Sequence, residues 1–195
     1  MITTDYNPEH PDGSMPPPDL CERLLHAAAE AGAQGEIPIA AAIVTLPDES
    51  ITSDDASSAR TTKDAAPWRE IALATNQVET LHDPTAHAEL RAIQAAAKIF
   101  QNERFAHCAL VTTLEPCAMC AGAIVLARIT RVYYFAPSEK NFGMQRLLHA
   151  ARIDGTLNHH PEMCSVPQYA SRSARLLKDF FQSKRGAASN SNDGV

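Results

Sequence analysis

The stretch from His107 to Ala136 constrains the fold most. It reads as an apolar strand, "HCALVTTL", then a helix, "PCAMCAGAIVLARI", then a second apolar strand, "RVYYFA". Pro116 falls at the first turn of that helix, where a missing N–H costs nothing. The alternation extends in both directions. Asp19 is the expected N-cap of an amphipathic helix, "LCERLLHAAAEAG", closed by Gly32. "IPIAAAIVTL" (37–46) reads as a buried strand and "REIALATN" (69–76) as its hairpin partner. "PTAHAELRAIQAAAKIF" is strongly helical. After "RVYYFA" come a short helix "MQRLLHAAR", a fifth strand "EMCSV" and a closing amphipathic helix "QYASRSARLLKDFFQSK". Strands alternating with helices indicate an α/β layered domain.

A chain of 195 residues suits one domain with decorations. The domain is expected over 19–185. Residues 1–18 are Pro-rich and polar, a disordered extension; 186–195 is a flexible tail. The segment 47–67, rich in Ser, Thr, Asp and Ala, is far longer than a hairpin loop and reads as a polar insertion. Five cysteines, an odd number unevenly spaced, argue against a disulfide scaffold. The first residues have neither the basic nor the apolar region of a signal peptide, and no apolar run is long enough to span a bilayer. A soluble, reduced, cytoplasmic protein is expected. The net charge of −6 divides into −9 over residues 1–66 and +3 over 67–195, so the basic balance accompanies the second part. An acidic chain overall is a poor prior for a nucleic-acid binder.

The chemistry concentrates on Cys117-Ala-Met-Cys120. Two cysteines at i and i+3 at a helix start point to one side, and the helix dipole favours thiolates there. That suits a redox pair, half of a structural zinc site, or part of a catalytic metal site. A structural zinc needs a second pair of ligands, and the isolated Cys21, Cys108 and Cys164 do not offer one. Upstream, "DPTAHAE" opens another helix with His87 and Glu89. Three protein ligands with an open fourth position describe a catalytic zinc. Two thiolates and one neutral imidazole leave that zinc without net charge, a weaker Lewis acid that a nearby carboxylate base would assist. Glu89 is the candidate. His87 and Glu89, two residues apart, diverge on a regular helix. Both reach one ion only if it lies at the helix start, where two helix N-termini converge.

The pattern "HAE … PCAMC" resembles the signature of the zinc-dependent nucleobase deaminases, H-x-E…P-C-x-x-C. The wider wording, "HDPTAHAEL" and "TLEPCAMCAGAIVLARITRVYY", resembles the bacterial tRNA adenosine deaminases, as do "EIPIAAAIV", "ATN" and "LLKDFFQSKR". The resemblance spans roughly 20–185 apart from the insertion. It implies a cytidine deaminase-like three-layer α/β/α sandwich with a five-stranded mixed sheet, and a homodimer. It implies His87, Cys117 and Cys120 as ligands of Zn2+, Glu89 as the catalytic proton shuttle and Asn76 as a substrate-binding residue that hydrogen-bonds the base. The implied substrate is the wobble adenosine of a tRNA anticodon loop; the alternatives are a deaminase of a free base or nucleoside such as guanine or cytosine, and a binding protein with a structural zinc.

For RNA, Lys184 and Arg185 are the foremost candidate contacts, with Arg146, Arg152, Arg172, Arg175 and Lys178 beside them. Asn76 also reads as a turn-former after a strand; Glu36, within "EIPIAAAIV", reads either as a functional residue or as an exposed acid before a strand. His159 and His160 are loop residues or RNA contacts. Trp68 is expected to anchor the insertion, and Phe180-Phe181 to pack in the core. The chain departs from the family in "PSEKNFGMQRLL", which keeps Lys140 and Gly143 but adds Phe142, and in "VPQYASRS" before the last helix. Both regions shape substrate access.

Overall fold

The computed structural model describes residues 15–46, 68–138 and 143–190. The insertion 47–67, most of the N-terminal extension, Lys140, Phe142, the last residues of the tail and the side chain of Arg152 lie outside the described residues. A five-stranded mixed sheet forms the centre. β1 (Ala40–Thr45) and β2 (Arg69–Thr75) make the expected antiparallel hairpin, with a register shift at Ile43/Val44. β1 also pairs antiparallel with β3 (Cys108–Leu114). β4 (Arg131–Ala136) runs parallel to β3, and β5 (Glu162–Ser165) parallel to β4, giving the order β2-β1-β3-β4-β5.

Strand alternation sends successive side chains to two separate cores. Ala40, Ala42, Val44, Val111, Tyr133 and Phe135 pack on one face against α1 (Pro18–Ala33) and α6 (Pro167–Asn190). Ala41, Ile43, Leu110 and Val132 face the other side. There they meet α3 (Ala88–Phe100), α4 (Ala118–Leu126) and α5 (Met144–Asp154). The three-layer α/β/α sandwich is therefore as expected. In α3 the buried stripe is Ala88, Ala92 and Ala96, at i, i+4 and i+8. Small side chains on that stripe let the helix axis lie close over the sheet. In α4 the buried residues are Cys120, Ala121, Ile124 and Val125. Burying Ile124 fully contributes about 1.5–3 kcal/mol and fixes the helix that carries both cysteines.

Several local expectations are corrected. Asp19 is not an N-cap. Pro18, pre-set for the first helical position, starts α1 earlier, with Pro17 at the cap, and Asp19 pairs with Arg23 at 2.8 Å. Gly32 lies inside α1; the left-handed turn falls instead at Gly35, with φ of 92°. Pro116 precedes the helix, because Cys117 is the N-cap of α4. α6 continues to Asn190, past the boundary expected at 185. A four-residue helix, α2 (Val78–Leu81), was not foreseen. Phe181 is 44% exposed rather than core, stacked edge-on against Phe180 at 5.4 Å. Trp68 does pack edge-on against Tyr133, at 5.5 Å. Among the described residues, no helix is long and apolar enough to cross a membrane.

Candidate metal centre

The starts of α3 and α4 converge. His87 is the N-cap residue of α3 and Cys117 that of α4; Cys120 follows one turn in. Neither N-cap side chain caps its own helix. They turn to each other instead. His87 Nδ1 lies 3.7 Å from Cys117 Sγ and 3.6 Å from Cys120 Sγ, and the two sulfurs are 3.7 Å apart. Tetrahedral zinc bonds of ~2.3 Å to sulfur and ~2.05 Å to nitrogen require ligand separations of about 3.8 Å for S–S and about 3.6 Å for S–N. The three donor atoms match that spacing, and the sulfurs are far beyond the ~2.05 Å of a disulfide. The set of donors therefore fits zinc. Among the described residues it is the one cluster of His, Cys and acidic side chains with such geometry.

The electrostatics suit a cation. The hydrogen bond from Cys120 and the contact with His87 pull the Cys117 thiol down to about 3, despite burial. The same hydrogen bond, together with burial, pushes Cys120 up. A divalent ion would displace the protons of these thiols on binding. The contact with Cys117 raises His87.

Glu89, only 4% exposed, sits at the second position of α3. Burial pushes its carboxyl up to about 7, against a hydrogen bond from its own amide and the pull of His87; it also contacts Cys120. His87 lies outside the regular helix and Glu89 inside it, which is how residues at i and i+2 come to face one point.

Asn76 replaces the missing cap of α3. Its Oδ1 accepts the Ala88 N–H at 2.8 Å, while its own N–H donates to the Ile39 carbonyl at 3.1 Å. The side chain is buried, and its amide nitrogen has no protein partner among the described residues. It is thus more than a turn-former. Glu36 is not an exposed acid. It is buried and accepts N–H bonds from Thr80 at 2.7 Å and Glu79 at 3.2 Å, holding the start of α2. Burial opposes its ionisation, but those bonds outweigh burial and lower its pKa.

The sequence reading missed Glu115, also buried, which binds the start of α5. A carboxylate between an apolar strand end and Pro-Cys was the available signal. His159 Nε2 donates to the Ile129 carbonyl at 2.7 Å, which gives it a structural bond in the α4–β4 region. Cys21 and Cys108 are buried thiols raised to about 12 and about 11 by burial, remote from the metal cluster. Arg172 is committed to Glu22 by two bonds of 2.5 and 2.8 Å, whereas Arg146, Arg175, Lys178, Lys184 and Arg185 are exposed. Lys184 Nζ stands 5.5 Å from the Phe180 ring centroid. A groove of about 390 Å³ between β2 and α3, lined by Thr75, Arg91 and Lys98 among others, contains none of the metal-cluster residues.

Comparison with known proteins agrees with this geometry. Residues 18–136, which include the whole His–Cys–Cys cluster, match the model of the cytidine and deoxycytidylate deaminase zinc-binding region. The chain is 34% identical over 164 residues to a tRNA-specific adenosine deaminase of Agrobacterium fabrum, covering 84% of this chain and 93% of that protein. It is 35% identical over 161 residues to the protein of the same name from Haemophilus influenzae, covering 83% and 80%. A solved structure from work on A-to-I editing by tRNA:A34 deaminases at the wobble position of transfer RNA superposes with a TM-score of 0.63. That structure is 34% identical and covers 80% of this chain and 96% of its own. A guanine deaminase from Nitrosomonas europaea shares the fold, with a TM-score of 0.61 over 85% of each chain, at 19% identity. With the metal-ligating geometry inside the matched region, the chain belongs to the cytidine and deoxycytidylate deaminase zinc-binding family.

Proposed function

We propose that this zinc-dependent deaminase converts adenosine to inosine at the wobble position of a tRNA anticodon. The observation that carries the reading is the similarity, at 34% identity over 84% of this chain and 93% of the relative, to a tRNA-specific adenosine deaminase. The guanine deaminase likeness, at 19% identity, extends to the fold alone.

His87 Nδ1, Cys117 Sγ and Cys120 Sγ would hold the zinc. When bound, the ion supplies a Lewis acid that makes water nucleophilic near neutral pH. Glu89 is the proton carrier in this reading. Buried beside the proposed ligands and in contact with Cys120, its carboxyl is placed to take and return a proton. It takes a proton from the attacking water, delivers it to N1 of the purine and then serves the departing amine. A C6–O bond forms, the C6–N6 bond breaks, and one water is exchanged for one ammonia. The Asn76 amide nitrogen donates to the base. Because its oxygen is held by the Ala88 N–H, the amide cannot flip and offer the oxygen instead.

A loop nucleotide reaches such a recessed centre at low cost, since it can be splayed from its stack. Lys184, Arg185 and the other exposed cations of α6 would contact phosphates. A homodimer completes the reading. Ile99 and Phe100 of α3 and Met119 and Leu126 of α4 are exposed, Leu126 by 77%, which leaves apolar surface on the metal-bearing helices for a second copy. A cytoplasmic location accords with cysteines that are thiols.

The test is ammonia release from purified protein given anticodon stem-loops, adenosine, guanine or cytosine. Inosine in the stem-loop is expected. Activity on guanine with none on the stem-loop would assign the chain to free-base deamination. Sedimentation at micromolar concentration checks the dimer, which a monomer would remove.

A further inference from the structure

Glu115 is a buried carboxylate, 6% exposed, that neither the metal nor the proton transfer uses. It has no cation in ion-pair contact among the described residues. Its partners are backbone. Oε2 accepts the Ser138 N–H at 2.9 Å, just beyond β4, and Oε1 accepts the Gln145 N–H at 3.0 Å, in the first turn of α5. The N-cap residue of α5 is Gly143, which has no side chain to cap with, so Glu115 does this from another element. The fit is close: a Cβ on Gly143 would overlap the carboxylate. The backbone continues the attachment. Glu115 N–H donates to the Ala136 carbonyl at 2.8 Å, and Met144 N–H to the Pro116 carbonyl at 2.9 Å. Pro116 adjoins Cys117. The start of α5 is therefore tied one residue away from a metal ligand.

We propose that Glu115 is a positioning residue that latches the start of α5 to the start of α4, and so sets one wall of the reaction site. A buried polar group without partners is costly, and the Ser138 and Gln145 N–H groups supply those partners in the arrangement seen. Removing the latch lets the Gly143–Gln145 wall shift relative to Cys117. A shift of about 1 Å in a substrate-positioning element costs up to about a hundredfold. The inference rests on the deaminase reading above, in which Cys117, the neighbour of Pro116, holds the zinc at the reaction site.

The experiment compares zinc-loaded full-length protein with Glu115→Gln, Glu115→Ala, Gly143→Ala and the double variant Glu115→Ala/Gly143→Ala. Zinc per chain, kcat and KM on the anticodon stem-loop are measured for each. Glu115→Gln and Gly143→Ala are expected to keep one zinc and raise KM about tenfold, with kcat within about threefold. The double variant should do better than the two single effects multiplied, because the new methyl occupies the space that the carboxylate leaves. A merely structural role would reduce the active fraction, lowering kcat at unchanged KM. That result, a multiplicative double variant, or activity that falls in step with zinc would overturn the proposal. Should Glu115→Ala not fold, Glu115→Gln and Gly143→Ala decide by their KM values. A wild-type protein active on guanine and not on the stem-loop would refute the tRNA reading, and the same KM comparison would then be made on guanine. A wild-type protein active on neither removes both.

Discussion

The paired starts of α3 and α4 and the exposed face of α6 handle polar groups in opposite ways. At the paired starts the polar side chains are buried or half-buried, and most have identifiable partners. His87 meets two sulfurs and Asn76 caps Ala88, while Glu36 and Glu115 take backbone N–H groups at the starts of α2 and α5. On α6, Arg175, Lys178 and Arg185 are exposed, and Arg172 is consumed by Glu22. Desolvation makes geometry obligatory in the first region, since a buried polar group without its partner is costly. Nothing similar constrains an exposed lysine. In the proposed reading, catalysis at the helix starts therefore resolves into individual residues with individual roles. If the exposed cations of α6 contact phosphates, as proposed, their summed charge would set affinity and its salt dependence.

Substitutions should separate the two regions sharply. The largest effect is expected from Cys117→Ala or His87→Ala, which leave two ligands: zinc by elemental analysis and deamination by ammonia release should both disappear. Glu89→Gln should keep zinc and fold while lowering kcat by about 10²–10⁴-fold, the usual span for a positioned acid–base group. Full activity in that variant would remove Glu89 as the proton carrier. Asn76→Ala should cost about 1 kcal/mol in denaturant-measured stability, through loss of the α3 cap, and lower kcat/KM as well. Asn76→Asp separates the two roles. It retains the cap acceptor but has no amide donors, so stability should recover while activity does not. The smallest effect belongs to α6. Reversing charge at Lys184 and Arg185 should weaken stem-loop turnover. It should also flatten the salt dependence by about 0.7 in log–log slope for each phosphate that is no longer neutralised. An unchanged slope would take these two residues out of the RNA interface.

The same contrast explains what could be read from the sequence. The ligand set was legible because H-x-E and C-x-x-C at two helix starts leave few alternatives once an ion must be shared. The sheet was legible because its strands are continuous apolar runs. Helix limits were less so. Pro18 moved the start of α1 away from Asp19, and Cys117 rather than Pro116 opened α4, since cap geometry depends on the first residue whose backbone turns helical. Glu36 and Glu115 were misread or passed over because their partners are main-chain amides from distant segments, Thr80 and Gln145, which carry no side-chain signature. The ion pair of Arg172 was not legible, because its partner Glu22 lies 150 positions earlier in the chain.

The central claim is that deamination depends on one zinc held by His87, Cys117 and Cys120. The most direct test removes the metal with a chelator and returns zinc in steps, recording inosine formed in an anticodon stem-loop. Activity should be absent at the start, rise in proportion to added zinc and level off at one ion per chain. Undiminished activity in the stripped protein, or a plateau at another stoichiometry, would contradict the account.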